Sequence, residues 1–164
     1  MKRFLYFVVG VSATLTFLKS GYADERVKLA VQGRLGNDRQ VVELRNLDAV
    51  RSGDGLRFSL SVDRSSYVYL LAFGSSGKLV ALQPFSGAAS DAHQQSGERR
   101  DLPPAGHFLE LDESPGRELL FAFGVGGEPI NLSRLLDELK KLDNVEQVRD
   151  RIESKYPRVV TFEL

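Results

Sequence analysis

Two histidines, no cysteine and no tryptophan narrow the chemistry this 164-residue chain can perform. Histidine is the commonest general base, so catalysis is tested first at His93 and His107. His93 stands beside Ser90 and Asp91. The members of a catalytic triad must converge in space, and residues this close along the chain are badly placed to do so, so the expectation is a solvated histidine. His107 falls on the side of Leu109 and Leu111 at the start of a short strand, at the rim of a core. Together with Asp101, Glu110 and Asp112 the histidines would make a metal set, but no close pair such as His-x-x-x-His supports one. No metal, no cofactor and no catalytic residue is therefore assigned. Asp112 and Glu113 would point to opposite faces of an extended strand, which is poor geometry for a shared acid/base task. Gly74-Ser75-Ser76-Gly77-Lys78 lacks both the glycine spacing and the final hydroxyl of a phosphate loop, and it precedes a strand.

The elements that must position these residues are short and of period two. Val27, Leu29 and Val31 alternate with polar neighbours, and Val41, Val42 and Leu44 make a weaker second strand. Gly53 and Asp54 sit in Ser52-Gly53-Asp54-Gly55, a turn signal that explains them without a bound cation. Leu56, Phe58, Leu60 and Val62 then alternate with Arg57, Ser59, Ser61 and Asp63, as a strand with one wet face should. Residues 67–73 and 119–123 are apolar on both faces, which predicts central strands covered on both sides by a sheet or a helix. Tyr67 and Tyr69 share a face with Leu71 and Phe73, so core packing is expected over an aromatic ligand platform. Gly77 turns a hairpin that Pro84 ends, and Pro115-Gly116 marks another turn. The stretch 85–100 is polar and poor in large apolar residues, and reads as a long loop.

The period changes in the last third. Leu132, Leu135, Leu136, Leu139 and Leu142 form one helical stripe with Ser133 as expected N-cap, and Val145, Val148 and Ile152 continue it after an interruption. Asp143 with Glu146 resembles a capping box, so two short helices are predicted over 132–156. Their apolar stripe is expected to pack on the sheet rather than to dock a partner. Val160, Phe162 and Leu164 alternate as a final strand. The fold class is therefore mainly β: an antiparallel β-sandwich of about seven or eight strands, with a helical pair inserted before the last strand.

Lys2 and Arg3 precede an apolar run from Phe4 to Leu18, and small residues flank Tyr22. This pattern reads as a signal peptide over residues 1–23, cut after Ala23, leaving residues 24–164 as one sandwich domain. The run is broken by Gly10, Ser12, Thr14 and Thr16 and is short for a membrane span. Charge is balanced, with 22 basic and 22 acidic residues. Loss of Lys2, Arg3 and Lys19 tips the mature chain slightly acidic. Neither nucleic-acid binding nor a polybasic membrane surface is expected from such a balance. The expected location is the periplasm, with secretion beyond it left open, and without stable membrane insertion after cleavage.

Val50-Arg51-Ser52-Gly53-Asp54-Gly55-Leu56-Arg57-Phe58, Ser66-Tyr67-Val68-Tyr69-Leu70, the run Gly77 to Pro84, Leu102-Pro103 and Pro115-Gly116-Arg117-Glu118 follow one another in an order and spacing that resemble the domain of unknown function 4384 family. The resemblance spans roughly residues 47–127. Gln83 stands where that family often has phenylalanine. The resemblance implies a β-rich module of exported bacterial proteins, found beside caspase-like, kinase-like or envelope-assembly domains, and it carries over no catalytic residue.

The expected function is that of a non-enzymatic protein-interaction or adaptor domain of the cell envelope, with an envelope protein as partner. Its binding surface is expected at 85–100, with Phe85, His93, Arg99 and Arg100 as contacts, because loops at the end of a sandwich carry recognition. Gly53, Asp54, Gly77, Pro84, Pro115 and Gly116 are read as structural turn residues. The alternatives are a periplasmic hydrolase pairing His93 or His107 with a serine, and a glycan- or peptidoglycan-binding module using exposed Tyr67 and Tyr69.

Overall fold

Alternating polarity fixes which way each strand faces, and two-faced apolar strands decide which sheet lies in the middle. The computed structural model describes residues 24–36, 40–111 and 115–164. The expected signal peptide, and Asp112, Glu113 and Ser114 before Pro115, lie outside the described residues. The strands are β1 (Asp24–Glu25), β2 (Val27–Leu35), β3 (Gln40–Leu44), β4 (Gly55–Val62), β5 (Ser66–Phe73) and β6 (Leu79–Gln83), then β7 (His93–Gln94), β8 (Arg99–Leu102), β9 (Leu109–Glu110), β10 (Leu119–Val125) and β11 (Val160–Glu163). Helix α1 (Ala89–Ala92) precedes β7, and α2 (Leu132–Leu139) and α3 (Val145–Lys155) precede β11. All strand pairs are antiparallel. No helix among the described residues is long and apolar enough to cross a membrane.

One sheet runs β3-β2-β4-β8, with β9 pairing the start of β4 at Gly55 and Leu56, ahead of the stretch β8 covers. The other runs β1-β10-β5-β6, with β11 sharing β10's outer edge and β7 sharing β5's. The expected short strand after His107 is reduced to the two residues of β9, while β8 starts within the stretch read as a loop, and β1 and β7 are two-residue additions.

The two central strands of the second sheet behave as their composition requires. Val68, Leu70, Leu120 and Ala122 point to the first sheet and join Val27, Val31, Phe58, Leu60 and Val62 in an inter-sheet core. Tyr69, Leu71, Phe121 and Phe123 point the opposite way and meet Leu132, Leu135, Leu139, Val148 and Ile152 of the helices. The molecule is thus three layers deep, and the helical stripe is consumed by packing, as expected. Burial of each such leucine or phenylalanine contributes about 1.5–3 kcal/mol.

The helix starts differ from expectation by one or two residues. Asn131, not Ser133, caps α2, its side-chain oxygen accepting from Arg134 N at 2.9 Å. Asn144, not Asp143, caps α3 by accepting from Gln147 N at 2.9 Å, and Gln147 Oε1 reaches back to Asp143 N at 3.1 Å. Gln147 rather than Glu146 is the returning side chain, and it reaches the N–H of Asp143, one residue before the cap, instead of the cap's own N–H as in a capping box.

Turns fall where the sequence places them. Gly77 adopts φ +75° and donates its N–H to Gly74 O at 2.8 Å, closing the β5–β6 hairpin. Gly116 has φ +144°, and a Cβ there would lie 2.6 Å from Ser75 Cβ, so this crossing of two turns admits only glycine. Asp54 is buried and accepts from Gly36 N at 2.9 Å and Arg51 N at 2.8 Å, so its carboxylate holds two chain segments together beside Gly53. Pro84 and Pro103 both follow cis peptide bonds.

Candidate functional site

The stretch 85–100 is not the long loop its composition predicts. It holds α1 and β7 and leads into β8, and its polar residues are tied to the sandwich. Gln94 is fully buried; its amide nitrogen donates to Leu60 O at 2.9 Å and Glu98 O at 2.7 Å. Ala92 is equally buried, in the helix-facing core. Arg100 lies on β8 and turns back over this clasp, donating to His93 O at 2.8 Å and Glu98 Oε1 at 3.2 Å, and also to Asp91 O. Glu98 is held below its ordinary pKa, chiefly by the Gln95 N–H. A composition-based reading misses this because a glutamine whose amide nitrogen is taken up by backbone carbonyls looks in sequence like a solvated one.

Phe85 is the exception within the clasp. Its side chain is 87% exposed, the most exposed of the large apolar residues described, and Val80 on the edge strand β6 is 46% exposed. The backbone that carries Phe85 is fixed on both sides. Buried Gln83 donates its amide to Asp91 O, and Ser86 hydrogen-bonds the Asp91 carboxylate and accepts from Ala88 N at 3.1 Å.

Arg99 faces the outer surface of the first sheet. Its guanidinium donates to Asp101 Oδ1 at 3.0 Å and to Ser59 Oγ at 2.9 Å, and Ser59 donates to Asp101. The Ser59 hydroxyl first, then Arg99, hold the Asp101 carboxyl below its usual range. Nearby on that sheet the guanidiniums of Arg34 and Arg57 lie over the Phe108 ring, 4.9 and 5.1 Å from its centre. The four residues expected to form one binding loop are therefore separated by role: Arg100 and His93 lie within the clasp, Arg99 on a sheet face, and Phe85 at the surface.

The candidate general bases are equally distinct. His93 Nε2 lies 3.1 Å from Ser65 Oγ, and its ring meets Tyr67 edge-on at 5.2 Å. Among the described residues no hydrogen bond joins that ring to a carboxylate, so the pair lacks the third member that orients a catalytic imidazole. His107 is exposed, not at the rim of a core, because only Leu109 and Glu110 of its segment pair with β4, and Leu109 is itself exposed. No group of three metal-ligating side chains occurs among the described residues. Tyr69 is 1% exposed and its hydroxyl accepts from Ile130 N at 3.1 Å; burial pushes its phenol pKa up. Only half-buried Tyr67 retains any face for a ligand.

A groove of about 760 Å³ escaped the sequence reading. One wall is the connection 126–131 after β10, and the others are the first turns of α2 and the last turns of α3. Tyr156, stacked on Phe123 at 4.1 Å, lies at its base. Glu138 receives Arg151 Nε at 2.6 Å and Lys155 Nζ at 3.5 Å, and the Arg151 hydrogen bond keeps its carboxyl below the usual range. Gly126-Gly127-Glu128-Pro129 followed by a capping Asn131 was the available signal, but the walls come from three segments that periodicity alone does not assemble.

A family model described as Domain of unknown function (DUF4384) matches residues 49–123, from just before β4 to within β10. No curated protein and no solved structure gives a significant match to the chain.

Proposed function

We propose, with the family match over residues 49–123 as premise, that the protein is an exported, non-enzymatic interaction domain of the bacterial envelope, and that Phe85 is its principal contact with a partner protein. The observation that carries this reading is an aromatic side chain 87% exposed on a backbone fixed by the Gln83, Ser86 and Asp91 hydrogen bonds. A merely solvated turn gains nothing from a phenylalanine, whereas a partner that buries the ring gains its apolar area without the cost of ordering the backbone that carries it. Deleting the clasp would be a poor test, because buried Ala92 and Gln94 would go with it.

The experiment is photocrosslinking in cells with p-benzoylphenylalanine at position 85 of the full chain, with exposed Ser154 on α3 as control position. A discrete adduct from position 85 only, released with the periplasmic fraction, is the expected result. Absence of an adduct from a correctly folded, exported protein overturns the reading. Phe85→Ala should remove the partner while changing stability by less than about 0.5 kcal/mol, since the ring contributes little to the core.

One observation favours a second reading. The 3.1 Å approach of Ser65 to His93 is the start of a hydrolase site. Ser65→Ala and His93→Ala would each abolish turnover of an activated ester if that pair were catalytic.

A further inference from the structure

From the groove between 126–131, α2 and α3, we infer a binding site for an extended acidic peptide segment, with Arg134 as the residue that receives its carboxylate. The groove volume of about 760 Å³ falls in the range of preformed ligand sites. Its shape is held without a ligand: Ile130 N donates to the buried Tyr69 hydroxyl, and Asn131 caps the helix that presents Arg134.

Charge then decides the occupant. Arg134, Arg151 and Lys155 line the groove against Glu128 and Glu138. Arg151 and Lys155 are already engaged by Glu138, whose carboxylate shows that this wall can seat such a group between two cations. Arg134 differs: among the described residues its guanidinium has no hydrogen bond or ion pair, and only its backbone is used, in the cap. An unpaired guanidinium is a preferred receptor for a carboxylate. Three cations against two carboxylates leave the groove one positive charge in excess, which suits a short segment that places a carboxylate at Arg134 and not a polyanion such as nucleic acid. Ile130, Leu135 and Tyr156 supply apolar contact for the aliphatic neighbours of an acidic residue. A peptide alternating acidic and apolar side chains matches both properties. The inference rests on the groove and not on Phe85, so either can fail alone. All of the groove lies beyond residue 123, outside the matched segment, whereas Phe85 lies inside it.

The test is fluorescence anisotropy of the purified full-length protein with a labelled peptide Gly-Leu-Glu-Leu-Glu-Gly, its Glu-to-Lys counterpart, and free glutamate as competitor. Expected are saturable binding of the acidic peptide alone, at least tenfold weakening by Arg134→Ala, and no change on Arg45→Ala, an exposed arginine at the far end of β3. Free glutamate should compete poorly, because it offers no apolar neighbours. Circular dichroism checks that Arg134→Ala retains the fold, as expected for an exposed helix position. No saturable binding, equal weakening by Arg45→Ala, or full competition by glutamate at the peptide's own concentration overturns the inference.

Discussion

The second sheet has two buried faces, and they are built of different material. The core toward the first sheet is mostly aliphatic, with Phe58 and Phe162 as its rings: Val68, Leu70, Leu120 and Ala122 meet valines and leucines of β2 and β4. The face toward the helices is aromatic, with Tyr69 stacked on Phe123 and Phe123 on Tyr156, and one of these rings carries a hydrogen bond. Aliphatic packing is non-directional and proportional to area. Stacked rings and a phenol hydroxyl instead fix orientation as well as burial. The first face therefore holds the sheets together, and the second positions the groove wall at 126–131.

The comparison can be broken most severely at Leu60, which is fully buried between the sheets. Leu60→Ala should destabilise by about 2–5 kcal/mol, read from urea unfolding followed by circular dichroism and tyrosine fluorescence. A loss below about 1 kcal/mol would mean that the inter-sheet face is not the main source of stability. Tyr69→Phe sharpens the contrast, because it removes one oxygen and leaves the ring. The expected cost is about 1–3 kcal/mol from the unpaired Ile130 N–H, with faster amide exchange confined to 126–135. Exchange rising equally across β2 and β4 would show that the two faces are not separable in this way.

The smallest effect concerns the ion pairs that tie β11 to Arg117 before β10 and to Arg149 of α3. Glu163 accepts from Arg117 at 2.5 Å and Arg149 at 3.2 Å, and Arg117 foremost holds its carboxyl below the ordinary 4.5. A depressed carboxyl stabilises the fold above its unfolded pKa, and that stabilisation disappears as pH falls through the folded value. Glu163→Gln should therefore lower Tm by a few degrees at most at pH 7. Between pH 5 and pH 3 it should lose less than the parent. Parallel curves for the two proteins would remove Glu163 from the account.

Strands were legible wherever polarity alternated or apolar residues ran unbroken, because period two encodes which face is buried. The alternation of β4 and the continuous run of β5 both located their layers before any coordinates. Legibility failed where polar groups are satisfied by partners distant in sequence. Gln94 bonds a carbonyl 34 residues away, so its burial is invisible locally. The caps at Asn131 and Asn144 slipped by one or two positions because Ser133 and Asp143 are equally suitable residue types. For the candidate sites, the sequence groups Phe85, His93, Arg99 and Arg100 as contacts of one loop, whereas the structure gives Arg99 and Arg100 different partners. Arg134 was passed over, since its significance lies in what fails to approach it.

The outer edge of β10 is covered by both extremities of the described fold: β1 pairs with Val125 and Gly124, and β11 with residues 119–122. In a chain emerging from its N-terminus, that edge waits for residues made after both helices. Until they arrive it is an open template for pairing with a second molecule. Assembly therefore has an order, with the aromatic layer able to form before the sheet beneath it is closed. Residues 160–163 close the sheet after the helices that precede them are made. Their absence would be felt as self-association of the nascent chain more than as loss of any one contact.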